Sequence, residues 1–230
     1  MTSWQPFDQS NPKLRKLAHH PESHEFKSII ETSSKYDFES LARLWLSEGI
    51  PFAFKEQAGV YDEMRFWIAS VLGVSSVDVT LQGSGRIGFS MAPHKFGNTF
   101  GDSSDFDLSI VDKGLFDRCG DELQDFKKAF ESGRIESAAK AKVHRVDFCK
   151  RLDNLIRLGY INTFQAPSLK DYTPTILKIK DTMYRAGEKL KVTPGVPQFT
   201  SLNARLYRSW DDLVDRVATN LSELKVKLPM

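Results

Sequence analysis

The stretch VDVTLQGSGRIGFSMAPHKFGNTFGDSSDFDLSIVD, Val77 to Asp112, decides how this chain is read. Val77, Val79 and Leu81 alternate with Asp78, Thr80 and Gln82, the period of a half-buried strand, and the strand ends in Gly83-Ser84-Gly85. A second short strand is expected at Asp105-Phe106-Asp107-Leu108-Ser109-Ile110-Val111, with both aspartates on one face and Phe106, Leu108 and Ile110 on the other. Two carboxylates on one polar face repel each other. A hard cation between them relieves that repulsion, and ligands that are all oxygen suit Mg2+ or Mn2+.

The glycine turn has its own logic. Gly83 and Gly85 permit positive φ and close backbone approach, and the segment through Ile87 can open a helix whose free N–H groups face an anion. Ser84 adds a hydroxyl and Arg86 a positive charge, so a triphosphate is the expected occupant. A tripeptide such as Gly-Ser-Gly is a plain turn in most proteins; it points to a site here only together with Asp105 and Asp107. The connection from Phe89 to Ser104 reads as a long irregular loop, on which His94 and Lys95 either line the mouth of the site or face solvent. Gly83, Gly85 and Gly88 also match a dinucleotide-binding spacing, but no ribose-binding acid follows in a recognisable unit.

Upstream, residues 1–35 are rich in polar residues, Pro and His, and read as an irregular arm. Leu41, Leu44 and Trp45 then recur at helical spacing. A stronger helix carries Val60, Met64, Trp67, Ile68 and Val71 on one stripe, with Gly73 just past its end. Downstream, helices are expected over 120–130 and 136–158, the second with Val143, Val146, Cys149, Leu152 and Ile156 inward. Another begins at Thr173-Pro174 and runs to about Gly187. Its basic residues from Lys178 to Lys191 form either a solvated face or an edge for RNA phosphates. Leu202, Ala204 and Leu206 alternate as in a strand, although one long helix from Leu202 satisfies the same stripe. Ser209 with Asp212 caps the last helix, striped by Trp210, Leu213, Val217, Leu221 and Leu224.

Composition sets the outer bounds. The 230 residues suffice for one sizeable core, or for a catalytic module with a helical appendage. A hydrophobic content of 40%, a charged content of 27% and a formal net charge of +2 describe an ordinary globular chain, with no global argument for nucleic acid. Cys119 and Cys149 lack metal-ligand spacing and read as reduced thiols of a cytoplasmic protein. No apolar run reaches the roughly 18 residues of a membrane span, and no signal-peptide core is evident.

The order strand, Gly-Ser turn, helix start, and strand bearing Asp105-Phe106-Asp107 resembles the nucleotidyltransferase superfamily of DNA polymerase beta, small bacterial stand-alone members included. The resemblance is specific over Val77 to Asp112, although the connection between turn and acidic pair is longer here than in minimal members. It implies an α+β fold: a small mixed sheet flanked by helices, with additional helices at the C-terminal side. The expected organisation is an arm over 1–35, a core over 36–135, and a helical region over 136–230 that adds one strand near 200–207. The resemblance implies that Asp105 and Asp107 are catalytic and bind magnesium or manganese. Gly83, Ser84, Gly85, Arg86 and Lys95 are the expected nucleotide contacts. The implied reaction moves a nucleoside monophosphate from a nucleoside triphosphate to a hydroxyl of RNA or protein, in a toxin-like or phage-defence setting, with a partner protein as a further option and no membrane. The superfamily ordinarily brings a third carboxylate from a later strand. In 202–207 the polar positions are Asn203, Arg205 and Tyr207, none acidic, and Asp102, Asp147 and Asp153 are weak substitutes. The alternative is therefore a module of the same fold that binds nucleotide or nucleic acid without turnover. A cation such as Arg205 beside the aspartates favours it.

Overall fold

Four short strands form one mixed sheet in the order β1-β2-β4-β3: β1 (Val79–Gln82), β2 (Phe106–Val111), β3 (Tyr160–Asn162) and β4 (Leu202–Tyr207). β1 and β2 are antiparallel, β2 and β4 parallel, and β4 and β3 antiparallel. This computed structural model describes residues 11–47, 49–136 and 139–228. The architecture is α+β, with eight α-helices among the described residues: α1 (Ser23–Thr32), α2 (Lys35–Ser47), α3 (Ala58–Leu72), α4 (Gly83–Ile87), α5 (Lys113–Glu131), α6 (Ala139–Arg157), α7 (Pro174–Lys191) and α8 (Trp210–Lys227). Among them none is long and apolar enough to cross a membrane.

One face of the sheet is wholly apolar. Val79 and Leu81, Phe106, Leu108 and Ile110, Ile161, and Leu202, Ala204 and Leu206 are buried in a single cluster with Met64 and Ile68 of α3, Leu115 and Leu123 of α5, and Ile176 and Ile179 of α7. Strand alternation accounts for this, because every second residue of each strand is aliphatic or aromatic and the ladders bring those residues onto one side. The other face is covered too. α2 and α8 pack together and against the sheet, and Ala42, Val111, Tyr207 and Leu213 meet there. β1 is consequently buried on both faces, with Thr80 and Gln82 enclosed rather than solvated. Val77 lies before the strand in a 3-10 turn over Ser76–Asp78, its side chain exposed.

Several expectations change. Within the arm expected to be irregular, α1 packs Phe26, Ile29 and Ile30 into a core with Leu41, Trp45, Leu221 and Leu224. Glu22 and Glu25 form a reciprocal capping box at its start. Residues 1–10 of that arm lie outside the described residues. In α6 the inward side is Phe148, Cys149, Leu152 and Leu155, with Ile156 partly buried, while Val143 and Val146 of the expected stripe are exposed. β3 is three residues long, too short to leave a periodic signal in the sequence. The region 136–230 supplies β4, where a strand is expected near 200–207, and β3 in addition.

The start of α8 is fixed by Ser209, whose hydroxyl accepts from the Asp212 amide at 3.1 Å. Ser209→Ala is expected to cost about 1 kcal/mol, a fall of roughly 2–4 °C in Tm by thermal melt.

Candidate functional site

Phe106 sets the aspartates in place. Its ring stands in an aromatic cluster with Phe54, Phe100 and Phe199, at centroid distances of 5.4, 5.3 and 4.5 Å. With that side chain held in the core, alternation turns Asp105 and Asp107 to the opposite side of the strand. Asp107 pairs across the sheet with Gln82 on β1 and Asn203 on β4.

The glycine turn then closes on this strand. Gly83 follows β1 directly with φ of +63°, and a Cβ placed there would lie 3.2 Å from Asp107 Oδ2. The left-handed backbone and the close carboxylate both call for glycine. Gly85 serves packing instead: a Cβ on it would stand 3.0 Å from Phe106 and 3.1 Å from Leu81. α4 amounts to little more than one turn, ending at Gly88.

Arg86 does not meet the expectation of a phosphate contact. Its guanidinium is buried, with Nε donating to the Trp45 carbonyl at 2.5 Å and Nη1 to the Ile50 carbonyl at 3.1 Å. The expected loop is also more ordered than its composition suggests. Phe89 bridges Thr99, Ser90 N–H donates to the Asn98 carbonyl at 2.8 Å, and Phe89 and Phe96 pack on Phe26. Its tip is the 3-10 turn Pro93–Lys95, where His94 and Lys95 are exposed.

A cavity of about 400 Å³ opens over the turn and contains Gln82, Gly83, Ser84, Arg86 and Asp107 in its wall. The α2 and α8 sides contribute Trp45, Leu221, Glu223 and Lys227, and the loop contributes Ser90 to Pro93. Lys95 is not part of this lining. The cation that does face the cavity beside Asp107 is Arg205 of β4, with Nη2 3.9 Å from Asp107 Oδ1. Asp105 lies at the strand's entrance, where Oδ1 accepts from Ser201 Oγ at 2.7 Å; that hydroxyl oxygen in turn accepts from Asn203 Nδ2 at 2.9 Å.

Burial pushes the Asp107 carboxyl above its ordinary range; Arg205 opposes the shift and Asp105 adds to it. The pair Asp105 and Asp107 offers carboxylate oxygens of the type a hard cation takes, although Asp107 lines the cavity and Asp105 does not. It does not make a clamp of three, since among the described residues no three His, Cys, Asp or Glu side chains converge to hold an ion. Asp147 and Asp153 are paired elsewhere, with Arg151 and Lys127. Glu223 sits in the cavity wall but is paired to Lys227 at 3.4 Å. Neither cysteine is poised for chemistry: burial raises both thiols, Cys119 to about 12.

Sequence reasoning missed Trp45, Gln82 and the α8 wall, because which side of a helix or strand faces a cavity depends on packing partners distant in the chain. The antiparallel pairing of β1 and β2 also removes the βαβ unit that a dinucleotide fingerprint requires. No protein-family model, no curated protein and no solved structure matches the chain.

Proposed function

We propose that this chain is a nucleotidyltransferase-type module that binds a nucleoside triphosphate with magnesium in the cavity over Gly83 and Ser84. The observation that carries the reading is the Asp107 carboxylate held against a positive-φ glycine turn in the wall of a 400 Å³ cavity. In this reading Asp105 and Asp107 hold the ion, which neutralises phosphate charge. Ser84 and the turn's main chain meet the phosphates, and Arg205 supplies the positive charge that the sequence assigns to Arg86.

Two readings diverge once the nucleotide is bound. In the first, an acceptor hydroxyl of RNA or protein gives up its proton and bonds to the α-phosphorus, while pyrophosphate leaves. That step calls for a proton acceptor and, in a two-ion scheme, a further carboxylate. In the second, the nucleotide is bound without turnover and the module regulates or recruits a partner. Arg205 favours the second: the strand next to β2 brings a guanidinium to Asp107 rather than a carboxylate. Binding without turnover is accordingly the reading the geometry supports best.

Incubation with each labelled nucleoside triphosphate, magnesium, and total cellular RNA and protein tests it. Calorimetric binding with no label transferred supports the conclusion, transfer to an acceptor restores the enzyme, and no binding of any of the four sinks both. Arg205→Gln is expected to weaken triphosphate binding about tenfold, by loss of a charge-assisted hydrogen bond, as read by the same calorimetry.

A further inference from the structure

Two buried donors in the wall of this cavity have no partner. Among the described residues, Trp45 Nε1 and Gln82 Nε2 are the buried side-chain nitrogens that lack a hydrogen bond. Trp45 is 6% exposed and Gln82 7%, and both line the cavity. They come from different elements, α2 and β1. Leaving a donor unmade costs stability, and Phe or Met fills the same space without that cost. Two such donors in one cavity therefore point to acceptor atoms brought by a ligand.

The surroundings narrow the ligand's chemistry. Gln82 pairs directly with Asp107, so the donors adjoin the proposed phosphate and metal end of the same cavity. Ile87, Leu221 and Leu224 supply apolar wall, while Glu223 on α8, whose Oε2 is paired to Lys227 Nζ at 3.4 Å, offers Oε1 as an acceptor. At about 400 Å³ the cavity falls within the roughly 300–1,000 Å³ of small-ligand pockets, and its apolar wall beside these polar groups suits a flat heteroaromatic ring.

We infer that the cavity is a base-recognition subsite selecting guanine, with Trp45 and Gln82 as its specificity-determining residues; this rests on the nucleotide-binding reading above. Guanine carries two acceptors, O6 and N7, on one edge, and donors at N1 and the 2-amino group for Glu223. Adenine and cytosine place an exocyclic amino donor where the protein already presents donors. Uracil has two carbonyl acceptors but no amino group for Glu223. Both nitrogens are buried, so a ligand meets them as the side chains turn toward the cavity.

The test measures the affinities of GTP, ATP, CTP and UTP with magnesium, by calorimetry, for the unaltered protein and for Trp45→Phe and Gln82→Met. Gln82→Met keeps the packing volume close to the original, Trp45→Phe removes some of it, and a thermal melt verifies folding of both. GTP is expected to bind tightest, and each variant to lower the ratio of GTP to CTP affinity by roughly tenfold. If all four nucleotides bind and the ratio is unchanged in both folded variants, the base assignment is overturned while the nucleotide site survives. Equal affinity for the four in the unaltered protein also overturns it. If none of the four binds, the nucleotide reading itself fails and takes this inference with it. Should Trp45→Phe not fold, Gln82→Met alone decides between these outcomes.

Discussion

Asp107→Asn is expected to lower magnesium-dependent nucleoside triphosphate binding by at least about a hundredfold while raising the melting temperature at neutral pH. The loss follows from the ligand set. In the proposed site, with Asp105 at the entrance and Asp107 against Gly83, removing one carboxylate would leave a single charged oxygen ligand for an ion. The gain in stability follows from the pKa. Burial, with a smaller contribution from Asp105, lifts the Asp107 carboxyl above its ordinary 3.8, and Arg205 only partly offsets this. A carboxyl raised on folding contributes stability that is fully present below its unfolded pKa and is lost as pH rises through the folded value. Asparagine has no such loss. Relative to the unaltered protein, the variant should therefore match it in acid and exceed it once pH passes the raised folded value. The gain is of the order of 1–2 °C, held small because the Asp107 side chain is 36% exposed and solvent screens it. Thermal melts across a pH series read the difference, and a variant that loses stability at neutral pH would contradict the assignment. The same shift predicts that metal-dependent binding weakens in acid before an ordinary aspartate would, because the ion must displace the proton.

Arg86→Met should behave in the opposite way, costing about 3 kcal/mol of stability, roughly 6–12 °C in Tm. The guanidinium joins the carbonyl of Trp45, near the end of α2, to that of Ile50, and it is 2% exposed. Methionine fills the stem's volume but takes the guanidinium donor from the Trp45 carbonyl and leaves the Ile50 carbonyl with His20 Nε2, 3.0 Å away. Thermal and urea unfolding measure the cost. A phosphate-binding arginine gives another result: an unchanged melting temperature with lost nucleotide affinity. The two outcomes separate the role seen in the fold from the one the sequence suggests.

How much the sequence makes legible depends on how local each signal is. β2 announces itself because Phe106, Leu108 and Ile110 alternate with polar residues in a single run, and α7 because Pro174 opens it and an apolar stripe continues it. Asp105 and Asp107 fall on one side of a strand for the same local reason. Thr80 and Gln82 mislead, since polar residues at alternate positions imply water, whereas α2, from earlier in the sequence, packs on β1 and both are buried. Arg86 is ambiguous by nature: a lone arginine after a glycine turn suits an anion or a pair of carbonyls equally, and only the fold supplies Trp45 and Ile50. Leu202 to Tyr207 satisfies both strand and helix periods, and pairing with β2 decides for the strand.

The parallel pair of β2 and β4 has a consequence for how the molecule is made. A ribosome delivers Phe106 long before Leu202, and until β4 arrives the strand carrying the aspartates has β1 as its sole ladder partner. Closure of so long an intervening segment is slow and raises contact order. The nascent chain is therefore without Asn203, Arg205 and the α8 wall until residues 202–227 have been made, and the cavity beside Asp107 closes only then.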